Sequence, residues 1–540
     1  MSSAITPRAS RVAMHYEVEV HGLRRRVELP FVTAVIADLS GKPTEPLPPM
    51  ADRLFVEIDR DSFEACMKET RPRVAFLVPN ALTGDGTLRV DLVFQSMEDF
   101  EPERLARQVD ALRLLLDARD ASAEDVAREL DQRVDQQLDL IVHFPDLQRL
   151  EATWRGLYHL VEQSETDDSL KIKVLNSAKA ELARTLKRYK GTAWDQSPLF
   201  KRLYTDGYGS AGGDPVGCVL LDYEFDHSPP DVELLGELAR IGEAIHAPMI
   251  ASASPALLQM DSWQELSLPR SLAKIFTTPE YSAWRLLRET DEARYLVLTL
   301  PRFLARGAHV RETNSEPSYA YREDLNDGNH RSFIWASSGY LLVINIHRSF
   351  KIYGWCTQIE GLTAGGAVED LPRIDLRTDG GATRTIWPTE TAIDDRRGAE
   401  LAAVGLVPLV WRMHLNMAVF PRVRSLQRPA EFDDPAATER ARDAIELPYI
   451  LAVSRVAHYI KAIVRDLAFA KGDRAAVQAW LDRWIAAFAE PDAGSPGGYT
   501  QRIQPLESAS VVVEESAGEG GPSYTTKFYV RPNRGWPGRT

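Results

Sequence analysis

Cysteine is scarce in this sequence. The 540 residues include three cysteines, Cys66, Cys218 and Cys356, which lie far apart. An odd number of widely spaced cysteines supplies neither a disulfide framework nor a CxxC metal site, and this favours a reducing compartment. The first residues, MSSAITPRAS, lack the apolar segment of a secretory signal. No apolar run reaches the roughly 18 residues that a spanning helix requires, so we expect a cytoplasmic protein without membrane insertion.

Basic residues are also in the minority. Lys and Arg together number 64 against 78 Asp and Glu, which gives a net charge of −14. Nucleic-acid binding depends on a basic surface, so this balance argues against nucleic acid as the main partner. Hydrophobic residues make up 44% and charged residues 26%, as in ordinary soluble globular proteins. The length corresponds to roughly three or four domains.

Motifs of the common catalytic families are absent as well. The sequence contains no HExxH, no Walker A loop, no nucleophile elbow and no protein-kinase signature set. The stretch GYGSAG (207–212) matches G-x-G-x-x-G, yet a helix-like segment precedes it and a strand follows, which is the reverse of a dinucleotide site. His347 and His458 lie in apolar segments, where a lone histidine is usually a hydrogen-bonded core residue. We therefore predict no enzymatic activity, no cofactor and no metal.

One stretch, LLDYEFDHSPPDVELL (220–235), does concentrate polar chemistry. Asp222, Glu224 and Asp226 alternate, which places three carboxylates on one face of a strand, and His227 follows directly. Such a group could bind a metal or transfer protons. The other interpretation is structural: two prolines stop the strand, and Asp231 stands near the start of the next helix, where carboxylates are favoured. The residues favour the structural interpretation and leave the chemical one open.

The periodicities predict a mixed α/β (α+β) fold in three parts. Short strands, one of them at 31–37, and a helix make us expect a compact α/β unit over residues 1–120. Residues 121–144 predict an amphipathic junction helix. Residues 145–540 form the third part, which we expect to hold two α/β subdomains. The apolar side of the junction helix comprises Val126, Leu130, Val134, Leu138 and Ile141.

Both ends of the chain predict strands that lack partners nearby in the sequence. Residues 12–20, VAMHYEVEV, alternate, and residues 508–532 read as two strands joined by a Gly-rich connection. A short isolated strand is not stable in water. We therefore expect the N-terminal strand to pair with the C-terminal strands of the same or a neighbouring protomer. The predicted protomer–protomer contact residues are Met14, Tyr16, Val18, Val20, Val511, Val513, Phe528 and Val530.

Long stretches of the sequence resemble two subunits of one assembly. Residues 15–118, including VELPFVTAVIADLSGKPTEPLPPMADRLFVEIDRDSF, resemble TssB (VipA), the small sheath subunit of the type VI secretion system. Residues 130–532, including FPDLQRLEATWRGLYHLV and SFKIYGWCTQIEGLTAGGAVEDLP, resemble TssC (VipB), the large sheath subunit. The stretches are collinear, so the chain resembles a natural fusion of the two.

The resemblance implies a contractile-sheath fold in which small- and large-subunit domains intertwine and terminal strands pair between subunits. It implies self-assembly into a helical sheath around the Hcp inner tube, and contraction, triggered at the baseplate, that propels the tube. The family performs no catalysis, and the stretch FDHSPPD is similar to one in its large subunit. The resemblance therefore favours the structural interpretation of Asp226 and His227.

Two departures from the family leave an alternative open. Large subunits carry a longer segment before the WRGL motif, which resembles the docking site of the recycling ATPase ClpV. Here only DASAEDVARELDQRVDQQLDLIV lies between the halves, so we expect this docking segment to be absent. Large subunits also continue with a further strand where this sequence ends in NRGWPGRT. The alternative is a non-contractile or regulatory sheath paralogue that caps or modulates assembly.

Overall fold

A computed structural model gives the fold, which is mixed α/β as predicted. The structure describes residues 14–20, 23–209, 213–309, 319–325, 330–377, 383–471, 474–486, 488, 506–518 and 521–532. The strands are β1 (Tyr16–Val20), β2 (Leu23–Val27), β3 (Phe31–Ala37), β4 (Val56–Ile58), β5 (Arg73–Pro79), β6 (Thr87–Val93), β7 (Leu170–Asn176), β8 (Val216–Phe225), β9 (Met249–Ala253), β10 (Leu296–Leu300), β11 (Phe303–Leu304), β12 (Trp335–Ala336), β13 (Ala367–Val368), β14 (Ile374–Arg377), β15 (Thr383–Ile386), β16 (Leu406–Pro408), β17 (Val410–Arg412), β18 (Met417–Val419), β19 (Leu506–Gly518) and β20 (Gly521–Pro532).

The α-helices are α1 (Phe63–Thr70), α2 (Pro102–Gln108), α3 (Asp110–Asp120), α4 (Glu124–Val142), α5 (Pro145–Glu162), α6 (Lys179–Arg188), α7 (Pro198–Phe200), α8 (Pro229–Ile245), α9 (Leu272–Ile275), α10 (Ser282–Glu289), α11 (Gly339–Tyr353), α12 (Asp395–Ala403), α13 (Pro435–Asp443), α14 (Leu447–Lys471) and α15 (Arg474–Ala486). A π-helix spans Lys201–Gly209 directly after α7. Short 3-10 turns complete many of the connections.

A seven-stranded sheet organises the molecule, in the order β16-β10-β9-β8-β3-β7-β4. Strand β4 runs antiparallel to β7, and the other neighbours pair in parallel. In chain order, β4 and β7 come next after β3 in this sheet and lie on one side of it. Strand β8 follows and pairs with the other side of β3. The strand order therefore reverses between β3 and β8, and the carboxyl ends of the parallel strands meet at one edge, here called the carboxyl edge.

Strand β3 is buried on both faces, which explains its uninterrupted apolar sequence FVTAVIA. Phe31 and Val35 face one hydrophobic core, whereas Val32 and Ile36 face the other. Each such buried side chain contributes about 1.5–3 kcal/mol relative to its exposed state. Gly217 on β8 permits the close approach of Phe31, because a Cβ there would lie 2.5 Å from the phenyl ring. The strand predicted at 31–37 is confirmed.

The two halves of the chain share this sheet. Strands β3 and β4 come from the first 120 residues, yet β3 lies between β7 and β8 of the second half. The first 120 residues therefore do not close into a unit of their own, contrary to our expectation, because β3 exposes two strand edges that only the second half can pair. The intertwined arrangement that the resemblance implies is confirmed. The domain limits at 120 and 144 remain a prediction.

Helix α4 occupies the predicted junction, and its apolar side is buried only toward its C-terminal end. Val134, Leu138 and Ile141 are fully buried, whereas Val126 is half exposed. A segment of the second half lies against this helix, where the Tyr319 hydroxyl donates to an Asp135 carboxylate at 2.6 Å. The junction is therefore packed into the fold on both sides.

Helix α14 meets the length and composition of a membrane span over Leu447–Asp466. Of the most apolar part of this helix, 78% is buried inside the molecule. Such burial is typical of an interior helix. Its neighbours include β1, β20 and α15, which form the candidate interface described next.

Candidate assembly interface

The N-terminal strand pairs locally. Strand β1 runs antiparallel to β2, with Tyr16 opposite Val27 and Val20 opposite Leu23. Among the described residues it does not pair with β19 or β20, so the version of our prediction that placed this pairing within one chain is wrong. Two residues separate β1 from β2 in the sequence, and closing that short loop costs far less entropy than joining the chain ends. Pairing with a neighbouring protomer stays a prediction.

Side chains of α14 and α15 hold the start of β1. Tyr16 is 2% exposed, and its ring meets Tyr459 edge to face at 6.3 Å. The Tyr459 hydroxyl donates to the carbonyl oxygen of Met14 at 2.5 Å. The Trp484 indole donates to the carbonyl oxygen of His15 at 3.0 Å. Backbone groups just before the strand are thereby satisfied by the C-terminal helices.

The C-terminal hairpin consists of β19 and β20, paired antiparallel with Val511 opposite Phe528. Val511 and Val513 are buried, whereas Val512 between them is 39% exposed. This alternation places one face of the hairpin on α15 and the other toward solvent. Phe528 is partly buried, and its ring lies 6.1 Å from the His246 ring.

The outer edge of β19 is already occupied. The Gln478 amide of α15 donates to Val511 O at 2.6 Å and accepts from Val513 N at 2.7 Å. Arg474 adds a bond from its Nε to Val513 O at 2.8 Å. A side-chain amide thus makes the two hydrogen bonds that a further strand would make, and it blocks this edge at Val511 and Val513.

Both hairpins contribute to one hydrophobic core with α14 and α15. Met14, Tyr16, Val511 and Val513, four of the eight predicted contact residues, are buried in it, and Phe528 packs at its border. The structure therefore brings the N-terminal and C-terminal hairpins of one chain together by packing instead of by strand pairing. The remaining three predicted residues have a strand position but no described side chain: Val18 opposite Arg25, Val20 opposite Leu23 and Val530 opposite Ala509.

Strand β2 was not predicted from the sequence. Its residues, LRRRV, carry three consecutive arginines, which obscure the alternation of a strand. Charges along an edge strand are nevertheless common because they discourage uncontrolled pairing. The feature of the sequence that indicates β2 is its short distance from β1, which is typical of a hairpin.

The carboxylate cluster at 222–227 divides into two parts. Strand β8 ends at Phe225 and α8 begins at Pro229, so Asp226 and His227 lie in the predicted turn. Asp226 Oδ1 accepts from Ser228 N at 2.7 Å, and Asp231 Oδ2 accepts from Asp226 N at 2.9 Å. His227 stacks on Tyr281 with 4.2 Å between the ring centres. The structural interpretation of this turn is confirmed, and the expectation of three carboxylates on one strand face is wrong for Asp226.

Asp222 and Glu224 remain on β8 and line a cavity at the carboxyl edge. Burial raises the pKa of Asp222 to about 6, and the nearby carboxylates of Glu224 and Asp38 act in the same direction. Burial also raises the pKa of Glu224, although Arg302 lies 3.5 Å from its carboxylate. In the described part of the chain, no three His, Cys, Asp or Glu residues are grouped closely enough to hold a metal ion.

The remaining candidate motifs have structural roles. The His347 ring lies 2.7 Å from both the Thr33 and Ser164 hydroxyls, so it is a hydrogen-bonded core residue, as predicted. His458 bonds to the Ile245 carbonyl oxygen at 3.1 Å. The GYGSAG stretch begins within the π-helix, and its residues 210–212 lie outside the described part. The next described element is strand β8, as the sequence predicted.

Comparison with known proteins places these features in a family. The VipB family (tail sheath N-terminal domain) matches residues 124–427. The VipA family (type VI secretion system) matches residues 5–151, and a second VipB family (tail sheath gpW/gp25-like domain) matches residues 436–536. The VipA and VipB matches overlap across α4 and the start of α5, so no separate linker lies between them.

Two relatives are sheath proteins of Pseudomonas aeruginosa PAO1. The type VI secretion system sheath protein TssC1 is 49% identical over 412 residues, which cover 76% of this chain and 82% of TssC1. The sheath protein TssB1 is 55% identical over 112 residues, which cover 21% of this chain and 65% of TssB1. A solved structure, the VipA-N2/VipB contracted sheath of the type VI secretion system, is 36% identical and covers 19% of this chain and 80% of the other. Its TM-score is 0.17, too low to establish a common fold.

The matches and the shared sheet together define a tail-sheath protein. The chain belongs to the type VI secretion sheath family, and a single polypeptide carries both the VipA (TssB) and the VipB (TssC) parts. It is a structural subunit of that sheath.

Proposed function

We propose that this protein assembles helically around an Hcp inner tube, engages a baseplate and contracts to propel the tube. The observation that carries the proposal is the edge of the C-terminal hairpin. Within the described residues β20 pairs with β19 alone, so its other edge is unpaired. An unpaired edge is a template for a strand from another copy of the chain.

The hydrogen bonds of Gln478 indicate where such a strand would add. The backbone N–H and C=O groups of Val511 and Val513 point away from β20, toward α15. In an antiparallel pair, two opposite residues that are not hydrogen-bonded to each other both point these groups away from the partner strand. The residues opposite Val511 and Val513 therefore point theirs toward the outer edge of β20. These residues are Phe528 and Thr526, so the accepting edge is the outer edge of β20.

We assign the incoming strand to β1 of a neighbouring copy. Strand β1 carries Glu17 and Glu19, which lie opposite arginines of β2, whereas β20 carries Arg531 and also Lys527, which lies 2.8 Å from Glu514. Opposite charges on adjacent strands favour pairing. The contact is heterologous, since β1 of one copy meets β20 of the next, and its repetition produces an open helix when the rotation between copies does not close a ring.

Contraction requires two packings of the same subunits that differ in free energy. In this proposal the hairpins keep neighbours connected while the bodies, built on the seven-stranded sheet, rotate. The subunit performs no catalysis, and it works in the cytoplasm. The positions of Asp226 and His227 in the turn between β8 and α8 support the non-catalytic role.

Electron microscopy of the purified full-length protein, with and without Hcp, tests the proposal. We expect hollow cylinders, and a central tube in the presence of Hcp. Small closed oligomers in both samples would contradict the proposal and favour the paralogue that caps or modulates assembly.

Recycling by ClpV belongs to the same proposal. Helix α4 follows α3 after three residues and packs into the fold through Val134 and Leu138. This arrangement leaves little chain between the halves for a separate docking segment. We therefore propose that ClpV does not act on this junction.

A further inference from the structure

A cavity of about 720 Å³ lies at the carboxyl edge of the central sheet. Its lining includes residues at or after the ends of four parallel strands: Asp38 after β3, Lys179 after β7, Asp222 on β8 and Arg302 after β10. The cavity therefore sits at the switch point between β3 and β8, where open α/β sheets bind ligands. Its volume falls within the range of roughly 300–1,000 Å³ that is typical of small-molecule sites. The sheath role described above makes no use of it.

The cations deep in the cavity already have partners. Lys179 Nζ donates to the Glu224 carbonyl oxygen at 2.6 Å and to Asp231 Oδ2 at 2.7 Å. Arg302 makes two hydrogen bonds of 2.8 Å to the Glu390 carboxylate. These pairs leave little positive charge for any other carboxylate in the cavity.

The lining holds three further cations, of which Arg331 is exposed, whereas Lys42 and Arg149 are engaged by one carboxylate. Lys42 Nζ lies 2.7 Å from Asp146 Oδ2, and Arg149 Nη2 lies 3.2 Å from Asp146 Oδ1. Both of these basic side chains are largely exposed, so solvent screens them as well. They are therefore weak sources of positive charge for the interior.

Asp222 is one of two carboxylates in the lining, with Asp38, that have no cationic partner among the described residues. No ion pair to it occurs in the described part of the chain, and its neighbours are the hydroxyls of Thr153 and Tyr340 and the like charges of Asp38 and Glu224. A partly buried carboxylate that is uncompensated by a cation is an unfavourable arrangement. A positively charged group in the cavity would relieve it.

The shape of the cavity distinguishes between kinds of cation. Its carboxylates do not converge on one point, since no metal-holding group of acidic residues occurs in the ranges that the structure describes. Phe333 and Trp335 supply an aromatic wall. Aromatic faces attract ammonium and guanidinium groups. Separated carboxylates beside an aromatic wall suit an extended organic cation better than a metal ion.

We propose that this cavity binds an extended organic cation, with one ammonium or guanidinium group on Asp222 and the chain of the ligand along Phe333 and Trp335. Asp38 comes from the VipA part and Asp222 from the VipB part, so the ligand would contact both. The same chemistry is found in a free polyamine and in the basic side chains of a peptide, and the experiment separates these sources.

Isothermal titration of the full-length protein tests the proposal with two probes, spermidine and an acetylated, amidated tri-arginine peptide. We expect one site per chain for at least one probe. Asp222→Asn should weaken this binding by about tenfold or more, as expected for loss of a charge-assisted hydrogen bond. Asp125→Asn is the matched control, because Asp125 lies on α4 with its side chain 95% exposed. It should leave the affinity unchanged.

A second variant tests whether a bulky side chain in the cavity prevents binding. Ala180 is exposed and lines the cavity, so Ala180→Phe should obstruct it without disturbing the core. Binding of spermidine would identify a free polyamine as the source, and binding of the peptide alone would identify a basic protein segment. Failure of both probes to bind, or equal affinity in the parent and both cavity variants, would overturn the proposal. The melting temperature of each variant, equal to or above that of the parent, shows that a loss of binding is not a loss of folding.

Discussion

The hydroxyl of Tyr16 donates a 2.5 Å hydrogen bond to Asp466 Oδ2, and so it joins two residues that are 450 positions apart. Burial raises the pKa of Tyr16, and the Asp466 carboxylate raises it further. The phenol therefore keeps its proton and remains a donor at neutral pH. Through this bond the N-terminal hairpin depends on helix α14 near the other end of the chain.

Removal of that hydroxyl should loosen the N-terminal hairpin. Tyr16→Phe leaves the ring in the core but deprives Asp466 of a donor, which we expect to lower the free energy of unfolding by about 1–3 kcal/mol. Chemical denaturation measures the change, and the yield of cylinders measures its effect on assembly. Tyr529→Phe is the control for stability alone, because Tyr529 is 62% exposed but lies on β20, the proposed accepting strand. Equal stability of the two variants would contradict the importance of the bond.

The buried face of the C-terminal hairpin should matter more than its exposed face. Val513 is 0% exposed and Val512 is 39% exposed, although they are adjacent. We expect Val513→Ala to lower the free energy of unfolding by about 1–3 kcal/mol through lost burial, and Val512→Ala to change it by less than about 0.5 kcal/mol. Thermal and chemical denaturation of the pair make the comparison. A larger effect at Val512 would mean that the hairpin presents its other face to α15.

Proline at neighbouring positions of β20 should separate folding from assembly. The backbone N–H of Thr526 faces the outer edge, whereas that of Thr525 faces β19, by the alternation that Gln478 defines. Thr526→Pro should therefore leave a folded protein that no longer forms cylinders, because it removes a donor from the accepting edge. Thr525→Pro should also weaken the hairpin itself. Circular dichroism and electron microscopy report the two properties. Normal cylinders from Thr526→Pro would exclude this edge as the contact.

Asp222 should give the stability a pH dependence of definite sign. Its pKa is about 6 in the folded protein against an ordinary 3.8, so between these values the folded state holds a proton that the unfolded chain has released. Stability therefore falls as the pH rises from about 4 to about 6, and the cost persists above pH 6. We expect Asp222→Asn to be more stable than the parent by up to about 3 kcal/mol at pH 7.5 and equal to it near pH 4. Denaturant titrations at both pH values measure this. The same stability difference between Asp222→Asn and the parent at both pH values would contradict the raised pKa of Asp222.

Contracted sheaths of this protein should resist ClpV. Helix α4 is packed against the body through Val134 and Leu138, and it follows α3 without a free segment between them. We expect the sheaths to remain in the pellet after incubation with ClpV and ATP. A sheath of separate VipA and VipB subunits, treated in parallel, shows that the ATPase is active. Prompt disassembly of the present sheaths would show that another segment supplies the docking site.

Local pattern was sufficient to predict some elements of this fold. The apolar run of β3 and the helical period of α4 each reflect burial along a single segment, which the sequence records directly. The turn after β8 was predictable for the same reason, since Ser228 and the two prolines specify it locally.

Long-range relationships were not predictable from those patterns. The sequence of β3 does not indicate that its neighbours are β7 and β8, because an apolar strand can pair equally well with many other strands. The cavity at the carboxyl edge escaped notice for the same reason: Asp38 and Asp222 are brought together only by the strand order. For the same reason the sequence did not show that β1 and the C-terminal hairpin of one chain pack around α14 without pairing as strands.

The central position of β3 has a consequence for how the protein is made. The ribosome delivers β3 first, long before β7 and β8, so the strand that fills the middle of the sheet is present when its two neighbours emerge. Two separate polypeptides would have to meet by diffusion to complete the same sheet, at a rate that depends on how much of each the cell contains. Here the partners are tethered, and their effective concentration does not fall on dilution. Every sheath subunit therefore leaves the ribosome with its two parts in equal number, and a finished chain carries every strand of the central sheet.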